Sequence, residues 1–144
     1  MTISNNWQLQ PSELFSMGPI VPVLVIKSLE DALPIAEALL AADVKVLEVT
    51  LRTPAALDVI STIAKNLPEA VIGAGTVTNR DLLQKSYDAG AQFAISPGLT
   101  KDLLQAGKEG ELALIPGISS ISELMTGIDA GYDHLKFFPA EASG

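Results

Sequence analysis

The sequence predicts an α/β fold built on a parallel sheet, and three observations carry that prediction. Short apolar runs rich in Val and Ile recur along the chain. Segments with helical spacing lie between them, so strand and helix alternate throughout. The runs are also close to continuously apolar, as strands are when helices cover both faces of a sheet, and such strand–helix–strand units connect right-handedly.

Taken in order, the first strand is "IVPVLVI" (20–26), followed by the helical segment "LEDALPIAEALLAAD" (29–43). "VKVLEVTL" (44–51) is the second strand and "PAALDVISTIAKNLP" (54–68) its helix. "AVIGAGTV" (70–77) leads into "NRDLLQKSYDAGA" (79–91), and "AQFAISPG" (91–98) into "TKDLLQAGKEGE" (100–111). "LALIPGI" (112–118) precedes "SISELMTGIDAGY" (120–132), and "HLKFFPA" (134–140) is the sixth strand, after which "EASG" should begin another helix. Most helical segments open on Ser, Thr, Asn or Asp, whose side chains cap free amides, and several close on Gly or Pro.

Two α/β architectures fit this alternation, the doubly wound sheet and the (β/α)8 barrel. Read as strand ends, Glu48, Thr76, Pro97, Pro116 and Lys136 fall at fairly even spacing, and three ends share the form "SPG", "IPG" and "FPA". That short βα repeat favours the barrel, and no G-x-G-x-x-G or P-loop pattern follows the first strand. The glycines of "GAGTV" are a weak phosphate signal on their own. In a barrel, polar residues at the carboxyl ends of strands build the site, and Glu48, Thr76 and Lys136 stand there. Six strands leave a barrel open, so residues 1–144 are expected to be one barrel domain incomplete at its C-terminus, the first three quarters of a longer protein.

Composition limits the partners. The chain has 144 residues, 48% hydrophobic and 18% charged, enough for one globular domain with a real core. A net charge of −8 works against nucleic acid and anionic lipid, which need clustered Lys and Arg, so a small molecule or protein is the expected partner. With no Cys and one His, neither a thiolate nucleophile nor a Cys/His metal site is expected. The N-terminal "MTISNNWQLQPSELF" carries no leader pattern, and the longest apolar run, "PIVPVLVI", is far short of a membrane span. A cytoplasmic protein is the expectation.

Lys136 is the odd residue. It sits in "HLKFFPA", and lysine is rarely buried unless it is paired or working. On composition alone the bland alternative is favoured, in which the stem packs on Phe138 and the ammonium reaches water.

Together, "VLEVTLRT" (46–53), "GAGTV" (73–77), "FAISPGLT" (93–100), "IPGI" (115–118) and "KFFPAEASG" (136–144) resemble the bacterial 2-keto-3-deoxy-6-phosphogluconate (KDPG) aldolase / 4-hydroxy-2-oxoglutarate (KHG) aldolase family. The resemblance spans nearly the whole chain. It implies a (β/α)8 barrel, a homotrimer when full length, no metal or other cofactor, and cleavage of a phosphorylated keto-deoxy sugar acid to pyruvate and glyceraldehyde 3-phosphate through a lysine Schiff base. The Schiff-base lysine falls on Lys136, the general acid/base on Glu48 and the carboxylate binder on Arg52. Thr76 is implied as a substrate contact, and Pro97 lies against bound substrate. The family holds its substrate phosphate on loops after the seventh and eighth strands, so no residue here is assigned to it, and preference between the two substrates is not readable.

The chemistry needs these residue types. Breaking a carbon–carbon bond beside a ketone requires an electron sink, and a protonated imine is a far better one than the ketone. A primary amine must make it. Ordinary lysine, with a pKa of about 10.4, is protonated at neutral pH, so such a site must desolvate its amine or surround it with like charge. Carbinolamine formation, dehydration and enamine protonation each move a proton, which one carboxylate such as Glu48 can carry. On an extended chain Glu48, Thr50 and Arg52 share parity, so Arg52 can reach the substrate carboxylate from the same side; a structural Glu–Arg pair is the plain alternative. Thr76 can donate to that carboxylate or simply fill a strand. Phe138 can wall the pocket or belong to the core. Pro116 is read as a strand terminator, and His134 as surface or satisfied core. Two rivals remain: an aldolase of the same type acting on another 2-keto-3-deoxy acid epimer, and a non-catalytic barrel relic.

Overall fold

The computed structural model describes residues 5–144; residues 1–4, where the segment without a leader pattern begins, lie outside it. Among the described residues there are seven strands, β1 (Val23–Leu24), β2 (Val46–Thr50), β3 (Val71–Gly75), β4 (Phe93–Ile95), β5 (Ala113–Ile115), β6 (Gly117–Ile118) and β7 (Lys136–Phe137). Around them run α1 (Pro11–Ser16), α2 (Ala32–Ala41), α3 (Ala56–Asn66), α4 (Arg80–Asp88), α5 (Lys101–Glu109), α6 (Ile121–Asp129) and α7 (Ala140–Ser143). A 3₁₀ turn, Leu29–Asp31, precedes α2.

The sheet runs β1-β2-β3-β4-β5, all parallel, and β6 pairs in parallel with β7. The expected strand 112–118 is interrupted at Pro116, which has no amide to donate to a ladder. Its first half pairs with β4 and its second half with β7. The run is therefore one stave with a neighbour on each side, and the six expected strands stand as six staves in sequence order. No stave reverses that order, as a doubly wound sheet requires, so the arrangement is the barrel-type α/β fold. Among the described residues, β1 and β7 each have a neighbour on one side only, and the sheet is open.

The helices form where capping residues predict. Asn79, Thr100 and Ser120 accept hydrogen bonds from the amides of Leu82, Leu103 and Glu123, fixing the starts of α4, α5 and α6. The core has two sides: Leu47, Val49, Ile72, Ala74 and Leu114 share the face of the sheet opposite Glu48 and are buried together with Val59, Ile60, Ile63 and Leu103 of the helices, while Val46 and Phe93 are buried on the inner face. α1 escapes sequence reading because its box is built by Gln10 and Glu13 rather than by Ser, Thr, Asn or Asp. It packs Leu14 into the core, and the neighbouring Trp7 donates its indole N–H to the Gly107 carbonyl at 2.7 Å.

Candidate active site

β2 carries one charged residue in a fully buried strand, Glu48 in "VLEVT". Its backbone is held on both sides, opposite Val23 of β1 and Gly73 of β3. Glu48 thus stands in the middle of β2, whereas the sequence reading set it at the strand's end. Thr50, two residues on, donates its hydroxyl to the Leu24 carbonyl at 2.9 Å and ties the ends of β1 and β2 together. Arg52 follows where the strand opens toward α3, exposed and on the lining of the same cavity.

Lys136 is the first residue of β7 and is set opposite Gly117 of β6, its amide donating to the Pro116 carbonyl at 2.9 Å. Its side chain is only 27% exposed. The ammonium lies 3.8 Å from Glu48 Oε1, within ion-pair reach but beyond a direct hydrogen bond, and 5.2 Å from the centre of the Phe138 ring. The bland alternative set the stem on Phe138 and the ammonium in water; here the ammonium itself lies over the Phe138 ring and faces Glu48.

Thr76 corrects the strand-filling alternative. It lies just beyond β3 with φ of 56°, a left-handed backbone that β-branched residues rarely adopt. Such strain persists only where the surroundings impose it, and here the next amide, Val77, donates to the Ile95 carbonyl at 3.1 Å and turns the chain off the ladder.

These groups converge. Glu48, Thr50, Arg52, Thr76, Pro97, Lys136 and Phe138, with Val23, line one cavity of about 300 Å³ at the carboxyl ends of the strands. All six residues singled out from sequence are in it. Val23 was missed because only the pairing register brings β1 beside Glu48, and Thr50 was noted for its parity alone. His134 is outside, stacked on Phe15 with Nδ1 2.8 Å from Asp133 Oδ1. A larger cleft of about 570 Å³ at the amino ends of β4 and β5, lined by Gln8, Tyr87, Gln92 and Glu111 among others, offers no amine.

Burial sets the electrostatics. Glu48 is 2% exposed, and loss of solvation pushes its carboxyl above the ordinary value of 4.5. The positive charges of Lys136 and Arg52 and the contact with Lys136 pull the other way without cancelling it. The cavity therefore pairs an amine with a carboxyl that holds its proton more tightly than a surface glutamate does, an arrangement suited to passing a proton at a carbonyl carbon bound between them.

The family model for KDPG and KHG aldolase matches residues 12–144. The chain belongs to this aldolase family. Over 142 residues it is 63% identical to the 2-dehydro-3-deoxy-phosphogluconate aldolase of Pseudoalteromonas atlantica, covering 99% of this chain and 66% of the relative. Over 139 residues it is 58% identical to the KHG/KDPG aldolase of Escherichia coli K12, covering 96% and 65%. The chain thus spans about two thirds of the length of these curated relatives. Among solved structures, the KDPG aldolase of Legionella pneumophila, with pyruvate captured at low pH as a covalent carbinolamine intermediate, superposes with a TM-score of 0.93 at 53% identity, over 96% of this chain and 67% of that one. The aldolase family and its barrel-type fold agree with the sequence resemblance.

Proposed function

We propose that this protein is a Schiff-base aldolase. It cleaves 2-dehydro-3-deoxy-6-phosphogluconate to pyruvate and glyceraldehyde 3-phosphate, and 4-hydroxy-2-oxoglutarate to pyruvate and glyoxylate. The observation that carries the reading is the Lys136 amine set 3.8 Å from the buried Glu48 carboxyl. The carbinolamine captured in the Legionella relative supports the chemistry.

In this reading the neutral Lys136 amine adds to the C2 carbonyl of the keto acid, the alkoxide takes a proton from Glu48, and the resulting Glu48 carboxylate takes one back from the carbinolamine nitrogen. Glu48 then protonates the carbinolamine hydroxyl, which leaves as water and gives a protonated imine. The Glu48 carboxylate takes the C4 hydroxyl proton as the C3–C4 bond breaks, which expels the aldehyde and drives the bonding electrons into the imine as an enamine. Glu48 returns that proton to C3, and its carboxylate then takes a proton from the water that adds to the imine and passes it to the nitrogen, so that collapse of the carbinolamine frees pyruvate and the amine. One carboxyl serves each transfer because it sits within one water of Nζ. Arg52 holds the substrate carboxylate and Thr76 donates a hydrogen bond to it, while Pro97 and Phe138 keep water from the imine. A cytoplasmic homotrimer belongs to the same proposal on the strength of the family resemblance, and sedimentation equilibrium checks it.

Borohydride reduction of a pyruvate mixture should fix the ligand on the peptide containing Lys136, read by mass spectrometry. A label on Lys27, Lys45 or Lys101 instead overturns the assignment. Glu48→Gln should lower turnover by roughly 10²–10⁴-fold while pyruvate still binds, and Arg52→Ala should act chiefly on KM.

A further inference from the structure

We infer that Gly75 is a positioning residue for the reaction: its missing side chain is the slot in which the Glu48 carboxyl lies. The inference rests on the acid/base reading of Glu48. In the β2–β3 ladder Glu48 is opposite Gly73, and Gly75 is two residues further along the same face. The Glu48 side chain leans along the strand direction toward the carboxyl ends, crossing the Gly75 Cα. A Cβ built on Gly75 would stand 2.5 Å from Glu48 Cδ and 2.7 Å from Cγ, with Oε1 closer still. Oε1 is also the oxygen that faces Lys136. Any side chain at 75 therefore displaces the oxygen that addresses the amine.

The displacement has nowhere harmless to go. Gly73, behind Glu48, is occupied by the Phe93 ring, whose Cε1 would be 2.5 Å from a Cβ there. Thr50, paired with Gly75 on the same face, is buried, and so is Ala74 between the two glycines. The backbone beyond is fixed by the Leu51 amide donating to the Gly75 carbonyl at 2.8 Å and by the left-handed Thr76. The cavity lined by Arg52, Thr76 and Lys136 is the space left to a displaced carboxyl. The glycines of "GAGTV" thus serve packing and carboxylate placement; their chemistry is the absence of two side chains.

The test is a cycle of Gly75→Ala and Glu48→Ala, followed by turnover, by the rate of borohydride-trapped imine with pyruvate, and by melting temperature. Gly75→Ala should cut kcat by about 10²-fold with a smaller change in KM, since misplacing a catalytic group by an ångström costs about that much. In the Glu48→Ala background the same substitution should change the trapping rate less than about threefold, because the clash is gone. NMR titration should show the Glu48 carboxyl of Gly75→Ala protonating nearer the ordinary range than in the parent. Equal fold losses in both backgrounds, or no loss in the parent, overturn the inference. Should Gly75→Ala fail to fold, recovery of a cooperative melt in the Glu48→Ala/Gly75→Ala protein supports it, and failure of that double variant overturns it. A fully active Glu48→Ala would defeat the acid/base reading separately, leaving the steric coupling to the melting and titration data.

Discussion

Glu48 spends folding free energy to be where it is. Burial raises its carboxyl above the ordinary value of 4.5 despite the nearby cations, so the folded state binds its proton more tightly than the unfolded chain does. The sign follows: between the ordinary value and the raised one, stability falls as pH rises, because the native state must give up a proton that the unfolded state has already lost. Glu48→Gln removes that titration. The variant's melting temperature should therefore gain on the parent's as pH goes from about 4 to 7, and a difference that stays flat or shrinks would show that Lys136 fully compensates the buried charge. The identity of this residue was legible in sequence, since a carboxylate inside an apolar run is conspicuous. Its environment was not: the raised protonation comes from burial and is partly offset by Lys136, 88 positions away in sequence, and the glycine floor beneath the carboxyl shows in the letters only as "GAG".

At the scale of elements, caps and periodicity were readable because they are local. Ser120 with Glu123 announces α6, and Asn79 and Thr100 announce their helices. α1 was unreadable for the same reason, its cap being Gln10, and β1 shrank from seven expected residues to Val23–Leu24 because a strand with one neighbour has only that ladder to define it. The inward face of β3 is the least legible element. Beyond Val71, Gly73 and Gly75 give it no inward side chain, and the vacancy is filled by Phe93 from one side and Glu48 from the other. The two glycines should therefore fail differently. Gly73→Ala overpacks a fully buried aromatic and should cost about 1–3 kcal/mol in urea unfolding, with Phe93→Leu restoring part of the loss. A Gly73→Ala protein of unchanged stability would mean that β3 shifts freely, contrary to its ladders on both sides.

Over the whole molecule, the open sheet sets the behaviour of a polypeptide of these 144 residues. β1 and β7 each present backbone groups with no strand on the outer side among the described residues, a template for pairing with another chain. Beside these edges lie Val23, Val25, Phe137 and Phe138, all exposed. α6 adds Ile121, Met125 and Ile128 at helical spacing on one face, Ile121 being 73% exposed. Against this stands a net charge of −8, which repels copies at long range but is screened beyond about 8 Å at physiological salt. Contact between apolar stripes is shorter-ranged than that, so attraction wins once copies meet. We expect concentration-dependent association in light scattering, strengthened by salt. Lys substitution at Ile121, Met125 and Ile128 together should weaken it, because charging one face of α6 leaves the sheet and the cavity untouched. If association is unchanged in that triple variant and is instead abolished by Val23→Lys and Val25→Lys, pairing of strand edges is the driving contact. A polypeptide that stays monomeric at tens of micromolar in high salt would show that these exposed faces are too dispersed to act as one patch.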